Sequence, residues 1–319
     1  MANNTTAYDT DWSTFVHVFF FHAAFQFLIA IPIILVNGFA IYVIHKDPIK
    51  CFRTPLTTFI SGILGADCLI GVALLFGIMS YFVDLSHFAT LLPIISISIS
   101  LCIMVALAVA QLLAIGWTAK YERYLSRRKA ILGIVAIYVY NILLFPQLIH
   151  LGFWWFVVID ILLHVAFLTL VLVVVYIVTY VVFKKAMQKH QESQMREDEQ
   201  ENTKNEALEK EFLKTTFIMT TTLIVFTFPF AITVLYWLLN SSYNIYHFSA
   251  LLFTTDLFYV KFLLDAFILL WRMPKYRHAV KLVWTRCCCC QCCVSCCGEE
   301  HEMVATYNVD NTHIDMTVA

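Results

Sequence analysis

Apolar residues run through most of this chain in long blocks, separated by short polar clusters. Blocks near 17–44, 56–82, 91–118, 130–149, 154–183, 212–239 and 247–271 each hold at least 19 mostly apolar residues. A helix of that length crosses the roughly 30 Å hydrocarbon core of a bilayer. A strand with an open edge would leave backbone groups unpaired in lipid, so helix is the conformation each block predicts. The expected fold class is an all-α membrane protein, a bundle of seven transmembrane helices. The break between the fourth and fifth blocks is the shortest, only Gln147 to Gly152.

Composition agrees with the pattern. The chain is 61% hydrophobic and 13% charged, whereas a soluble domain carries about a quarter charged residues. The net charge of −1 identifies no partner, but the sidedness of the charges sets an orientation. The segment before the first block and the segments after the second, fourth and sixth contain no Lys or Arg. The alternate segments hold Lys46, Lys50 and Arg53, then Lys120, Arg123, Arg127, Arg128 and Lys129, then a run from Lys184. The tail adds Lys275, Arg277, Lys281 and Arg286. The positive-inside rule then puts the N-terminus outside and the C-terminus in the cytoplasm.

Three regions follow: an outer N-terminal segment 1–16, a helical region 17–285 and a cytoplasmic Cys-rich tail 286–319. Residues 1–16 hold no basic cluster, so the first block is expected to act as its own retained insertion signal. Sequons at Asn3, Asn4 and Asn240 fall on the outer side, where glycosylation occurs. The polar stretch 184–211 reads either as a partner-binding surface or as a solvated linker. No nucleophile–base arrangement, phosphate loop or nucleotide motif is present, so neither an enzyme, a cofactor nor a nucleic-acid partner is expected.

Short motifs in register sharpen this plan. Val36-Asn37-Gly38 lies in the first block, and CFRTPLTTFI precedes the second. GILGADCLIGV, with Asp67, lies in the second, and LLAIGWTAKY closes the third. FTFPF, with Pro229, lies in the sixth, and DAFILLWRMPKYRHAV ends the seventh. Taken in order over residues 20–285, they resemble the rhodopsin-like family of G-protein-coupled receptors. The resemblance implies a seven-helix receptor with a short amphipathic eighth helix from Pro274. Its implied partners are an extracellular ligand, a heterotrimeric G protein and an arrestin on the cytoplasmic face, and membrane lipid.

Several family positions are altered. Where the family has Asp-Arg-Tyr, this chain reads Ala110-Gln111-Leu112. Glu209 stands near the acid that would pair with the missing Arg, leaving a hydrogen bond to Gln111 as the available link. Thr227 replaces the family's Trp two residues before Pro229, and Asp265, Ala266 and Leu269 stand where it has Asn-Pro-x-x-Tyr. The outer disulfide is missing too: the family's Cys in helix three reads Ser86. A looser inactive state and altered G-protein coupling are the expectation, with a receptor-like protein that does not couple to G proteins as the alternative.

Ionisable groups inside a span cost roughly 2.5–3.5 kcal/mol at a helix centre, so each calls for a reason. Asp67, Ser100 and Asp265 fall at positions that form a sodium pocket in the family, and Lys261 precedes Asp265 by one turn on the same face. Two arrangements are open. Either the cluster binds sodium, or the Lys261 ammonium pairs with the two carboxylates as a built-in cation; the second is favoured because a fixed ammonium repels sodium at close range. Lys261 stands two residues beyond the opsin Schiff-base position, which here is Tyr259.

The family's amine-clamping aspartate corresponds to Pro93, which removes the main argument for an amine ligand. Asp160 and His164, one turn apart in the outer fifth helix, are the polar ligand-contact candidates, unless they pair with each other. Asp256 is a third, and Phe230 is an aromatic candidate. In the tail, Cys287, Cys288, Cys289 and Cys290 open a run that follows the eighth helix. Such juxtamembrane cysteines are S-palmitoylation acceptors, with metal binding as the rival. The rival to a receptor as a whole is a transporter or channel using Asp67, Asp265 and Lys261 as an ion path; no internal repeat of the kind transporters show is visible.

Overall fold

The computed structural model describes residues 4–50, 52–80, 86–117, 121, 124–149, 159–194, 200–239 and 245–292. All regular structure among them is helical. The helices are α1 (Asn4–Lys46), α2 (Pro55–Met79), α3 (Ser86–Gly116) and α4 (Arg127–Ile149). After a π-helical turn, Ile161–Phe167, come α5 (Leu168–Gln194), α6 (Gln200–Leu239), α7 (Ile245–Arg272) and α8 (Pro274–Cys292).

Local chemistry sets several boundaries. Thr54 caps α2: its hydroxyl accepts the Thr57 N–H at 3.2 Å, and Pro55 takes the first helical position, where a missing N–H costs nothing. Pro274 opens α8 in the same way. Between α1 and α2 the chain turns through positive φ at Asp47 (43°) and Lys50 (52°). The Asp47 carboxylate holds that turn by accepting the Phe52 N–H at 3.0 Å. Pro32, Pro93 and Pro229 lie inside helices, as membrane helices tolerate when nearby groups satisfy the backbone. Beside Pro229, the Thr233 hydroxyl donates to the carbonyls of Pro229 (3.1 Å) and Phe230 (2.9 Å).

Five described helices hold stretches long and apolar enough to cross a membrane: 13–46, 55–79, 91–116, 162–185 and 217–237. The other two expected spans are also helical where the structure describes them, in α4 and α7. The start of α4 carries Arg127, Arg128 and Lys129, and α7 carries Asp256, Lys261 and Asp265. The first helix also begins earlier than the apolar pattern suggested, at Asn4 rather than near residue 17.

The core sits where α2 packs against α1 and α3, and where α7 packs against α1 and α6. Ile33, Ile63, Leu64, Ile70, Leu74, Ile99, Leu101, Phe258 and Phe262 are fully buried there. Gly71 lets α1 and α2 approach: a Cβ at that position would lie 2.7 Å from Ile34 Cγ1 and 3.1 Å from the Ala30 carbonyl oxygen. On the outside the usual arrangement is inverted. Leu132, Val135, Val139 and Leu143 of α4 and Leu170, Val174 and Ile177 of α5 are exposed. In water such a surface would aggregate; in lipid it is the solvent-facing side.

Candidate functional site: a buried charge cluster between α1, α2, α3 and α7

Four polar side chains without solvent exposure, Asn37, Asp67, Ser100 and Lys261, meet the equally buried Asp265 in the centre of the bundle. The i, i+4 spacing of Lys261 and Asp265 on α7 brings Nζ to 2.6 Å from the carboxylate. Lys261 Nζ also sits 4.5 Å from the centroid of the Phe262 ring, a cation–π contact that gains strength when desolvated. Asp67 of α2 accepts the hydroxyl of Ser100 of α3 at 2.8 Å. It lies within electrostatic reach of both Lys261 and Asp265. Asn37 closes the cluster from α1, its amide donating to the carbonyls of Ile33 (2.9 Å) and Phe262 (3.2 Å). Asp67 Oδ2 and Asp265 Oδ1 remain buried without a hydrogen-bond donor among the described residues.

An aromatic ladder rises from this cluster to α6. The Phe262 ring meets Phe258 edge-on (centroids 5.2 Å, 76°). Phe258 stacks flat on Phe230 of α6 (5.0 Å, 2°), one residue beyond Pro229. Close by, the hydroxyls of Thr233 and Thr254 join α6 to α7 at 2.7 Å. Thr227 is buried, and its hydroxyl has no partner among the described residues.

Two further carboxylate–histidine pairs are buried away from the cluster. Asp160 and His164, proposed from sequence as ligand contacts, pair with each other at 2.6 Å, and Ser98 of α3 donates to the same carboxylate oxygen at 3.0 Å. The intervening residues form the π turn, a local widening common at functional sites. Asp256 pairs with His22 of α1 at 2.8 Å, and Gln26 lies 3.0 Å from the other ring nitrogen of His22. Sequence reasoning missed His22 and Gln26. Their i, i+4 spacing inside an apolar run was the available signal.

The remaining sequence-predicted positions are less connected. Gln111 is buried on α3, and Ala266 and Leu269 are buried on α7. Glu209 lies on α6, and Asn4 begins α1, but their side chains fall outside the described residues. Asn3 and Asn240 also lie outside them. Cys287, Cys288, Cys289 and Cys290 belong to the last turns of α8, with their side chains undescribed.

The sequence that folds into these helices matches a known family. A family model described as "7 transmembrane receptor (rhodopsin family)" matches residues 36–269, well over half of the chain, from the Val36-Asn37 turn of α1 to Leu269 of α7. The chain belongs to that family. It is a multi-pass membrane protein of a receptor family. No individual curated protein matches the chain closely enough to add to that assignment. Within this rhodopsin-family chain, Lys261 is a fully buried lysine paired with Asp265.

Proposed function

We propose that this chain is a plasma-membrane receptor of seven spans, with its N-terminus outside and its C-terminus in the cytoplasm. It passes an extracellular ligand signal to a heterotrimeric G protein, and to arrestin on the same face, through a core that carries its own cation. The observation that carries this reading is the fully buried Lys261–Asp265 pair at 2.6 Å, inside a chain of the rhodopsin family. The residues do not fit a sodium ion. Two unit charges about 4 Å apart repel by about 4 kcal/mol at an effective dielectric constant of 20, and the ammonium already lies against the Asp265 carboxylate. The basic residues Lys46, Lys50, Arg53, Arg127, Arg128, Lys129, Lys184 and Lys185 support the orientation. In the tail, α8 runs on to Cys292, which supports palmitoylation at Cys287 to Cys290 and anchoring of that helix in the membrane.

A second reading is favoured by Gln111, a buried neutral residue where the family has an Arg: a receptor that recruits arrestin without activating a G protein. One experiment separates the two. Wild type and Asp265→Asn are expressed beside a panel of G-protein dissociation sensors and an arrestin-recruitment sensor. Receptor signalling predicts a basal or ligand-driven G-protein signal that Asp265→Asn alters by severalfold. An arrestin signal alone supports the second reading, and silence in both channels contradicts the proposal.

A further inference from the structure

Resting on the receptor reading, we propose that Phe258 of α7 is the positioning residue that couples the Pro229 segment of α6 to the Lys261–Asp265 pair. Thr227, at the position where the resemblance implies a Trp, ends in a small hydroxyl group with no described partner. The large rings joining α6 to α7 stand elsewhere. Phe230 follows Pro229 directly, and its ring lies parallel to Phe258 at 5.0 Å with only 2° between the planes. Phe258 is 1% exposed and turns its edge contact onto Phe262, also 1% exposed, at 5.2 Å and 76°. The Phe262 face holds the Lys261 ammonium at 4.5 Å, and Asp265 holds the same ammonium from the next turn at 2.6 Å. The backbone carbonyl of Phe262 is further fixed by Asn37 of α1 at 3.2 Å.

These contacts form one unbroken path from a proline inside α6 to a charge inside α7. Each step is sensitive to geometry. A parallel ring pair at van der Waals spacing cannot tilt with α6 unless one partner follows or the stack opens. Packed interiors respond to such a demand by moving between discrete arrangements rather than by stretching. A displacement of α6 at Pro229 would therefore reach Phe262 through Phe258, and a change at the ammonium would reach α6 by the same route. The Thr233–Thr254 hydroxyl pair at 2.7 Å ties the same two helix faces one turn along from this stack. It acts as the pivot, and Phe258 as the arm.

The test is a double-mutant cycle read as structure, since coupling is demonstrated only by such a cycle. Full-length protein in lipid nanodiscs carries genetically encoded spin labels at the exposed positions His45 of α1 and Lys214 of α6. Distance distributions are measured for wild type, Lys261→Met, Phe258→Leu and the double variant. Lys261→Met is expected to shift the α1–α6 distribution, and Phe258→Leu to reduce that shift by at least half. Phe258→Tyr, which keeps the stacking face, restores it. Should Phe258→Leu fail to fold, Phe230→Leu opens the same stack from the α6 side.

A shift of equal size with and without the Phe258 ring overturns the proposal, as does a Lys261→Met variant with no shift. Failure of the receptor reading shows separately, as silence of the G-protein and arrestin sensors while the distance measurements remain interpretable.

Discussion

Lys261 and Asp265 form an ion pair at 2.6 Å in which neither side chain is exposed at all. A pair of this kind is expensive to assemble and more expensive to break. Removing one partner strands the other in low dielectric, at about 3–5 kcal/mol. Asp265→Ala is therefore expected to lower stability by about that amount in a nanodisc unfolding assay. Replacing both residues with apolar side chains of similar volume, Lys261→Met with Asp265→Leu, should recover most of the loss. A double variant as unstable as the single would show that the pair contributes directional contacts beyond neutralisation.

A separate buried pair does cross between helices. His22 of α1 and Asp256 of α7 meet at 2.8 Å, with Gln26 behind the imidazole at 3.0 Å. In a thermal-unfolding cycle, His22→Ala, Asp256→Ala and the double variant should show a coupling energy of roughly 0.5–3 kcal/mol. Additive losses would mean that the two side chains act independently.

Asp160 and His164 are answered by Ser98 across the α3–α5 boundary. Ser98→Ala removes one hydrogen bond to a charged group, an expected loss of about 1.5–3 kcal/mol. If the pair serves the fold rather than the ligand, Ser98→Ala lowers the unfolding temperature without altering ligand selectivity in a signalling screen. A change of selectivity with unchanged stability would assign it to the ligand.

Gly71 is the close-approach residue between α1 and α2. Gly71→Val must displace Ile34 or push the helix from the Ala30 carbonyl, an overpacking cost of about 1–3 kcal/mol. Gly38, where an added Cβ meets nothing within 4 Å, is the control: Gly38→Ala should leave stability unchanged or raise it slightly, since alanine favours helix. The two melting temperatures check the prediction.

Much of the fold was legible because lipid imposes a simple rule. A block of apolar residues long enough to span must be a helix, and every proposed block contains helix where the structure describes it. The charge cluster was legible for a similar reason: Lys261 and Asp265 are charges inside a span at i, i+4, which places them on one face. The N-terminal reach of α1 was passed over because residues 4–16 are mostly polar, although Tyr8, Trp12 and Phe15 already stand at helical spacing. A helix already nucleated by the span gains one hydrogen bond per added residue and extends past the pattern. The π turn at Ile161–Phe167 has no residue signature. The Phe230–Phe258–Phe262 ladder was hidden for a third reason: the chain has 27 Phe, and spacing alone does not separate lipid-facing rings from those that meet across helices. His22 and Asp256 belong to helices at opposite ends of the chain, so neither predicts the other.

On the proposed reading, Lys261 stands where a sodium ion would otherwise sit. The most direct measurement is sodium dependence of stability in purified receptor, with choline as the replacement cation at constant ionic strength. Wild type should melt at the same temperature in either salt, while Lys261→Asn, which keeps Asp67, Ser100 and Asp265 and removes the ammonium, should melt several degrees higher in sodium. A wild-type protein stabilised by sodium as strongly as Lys261→Asn would contradict the account.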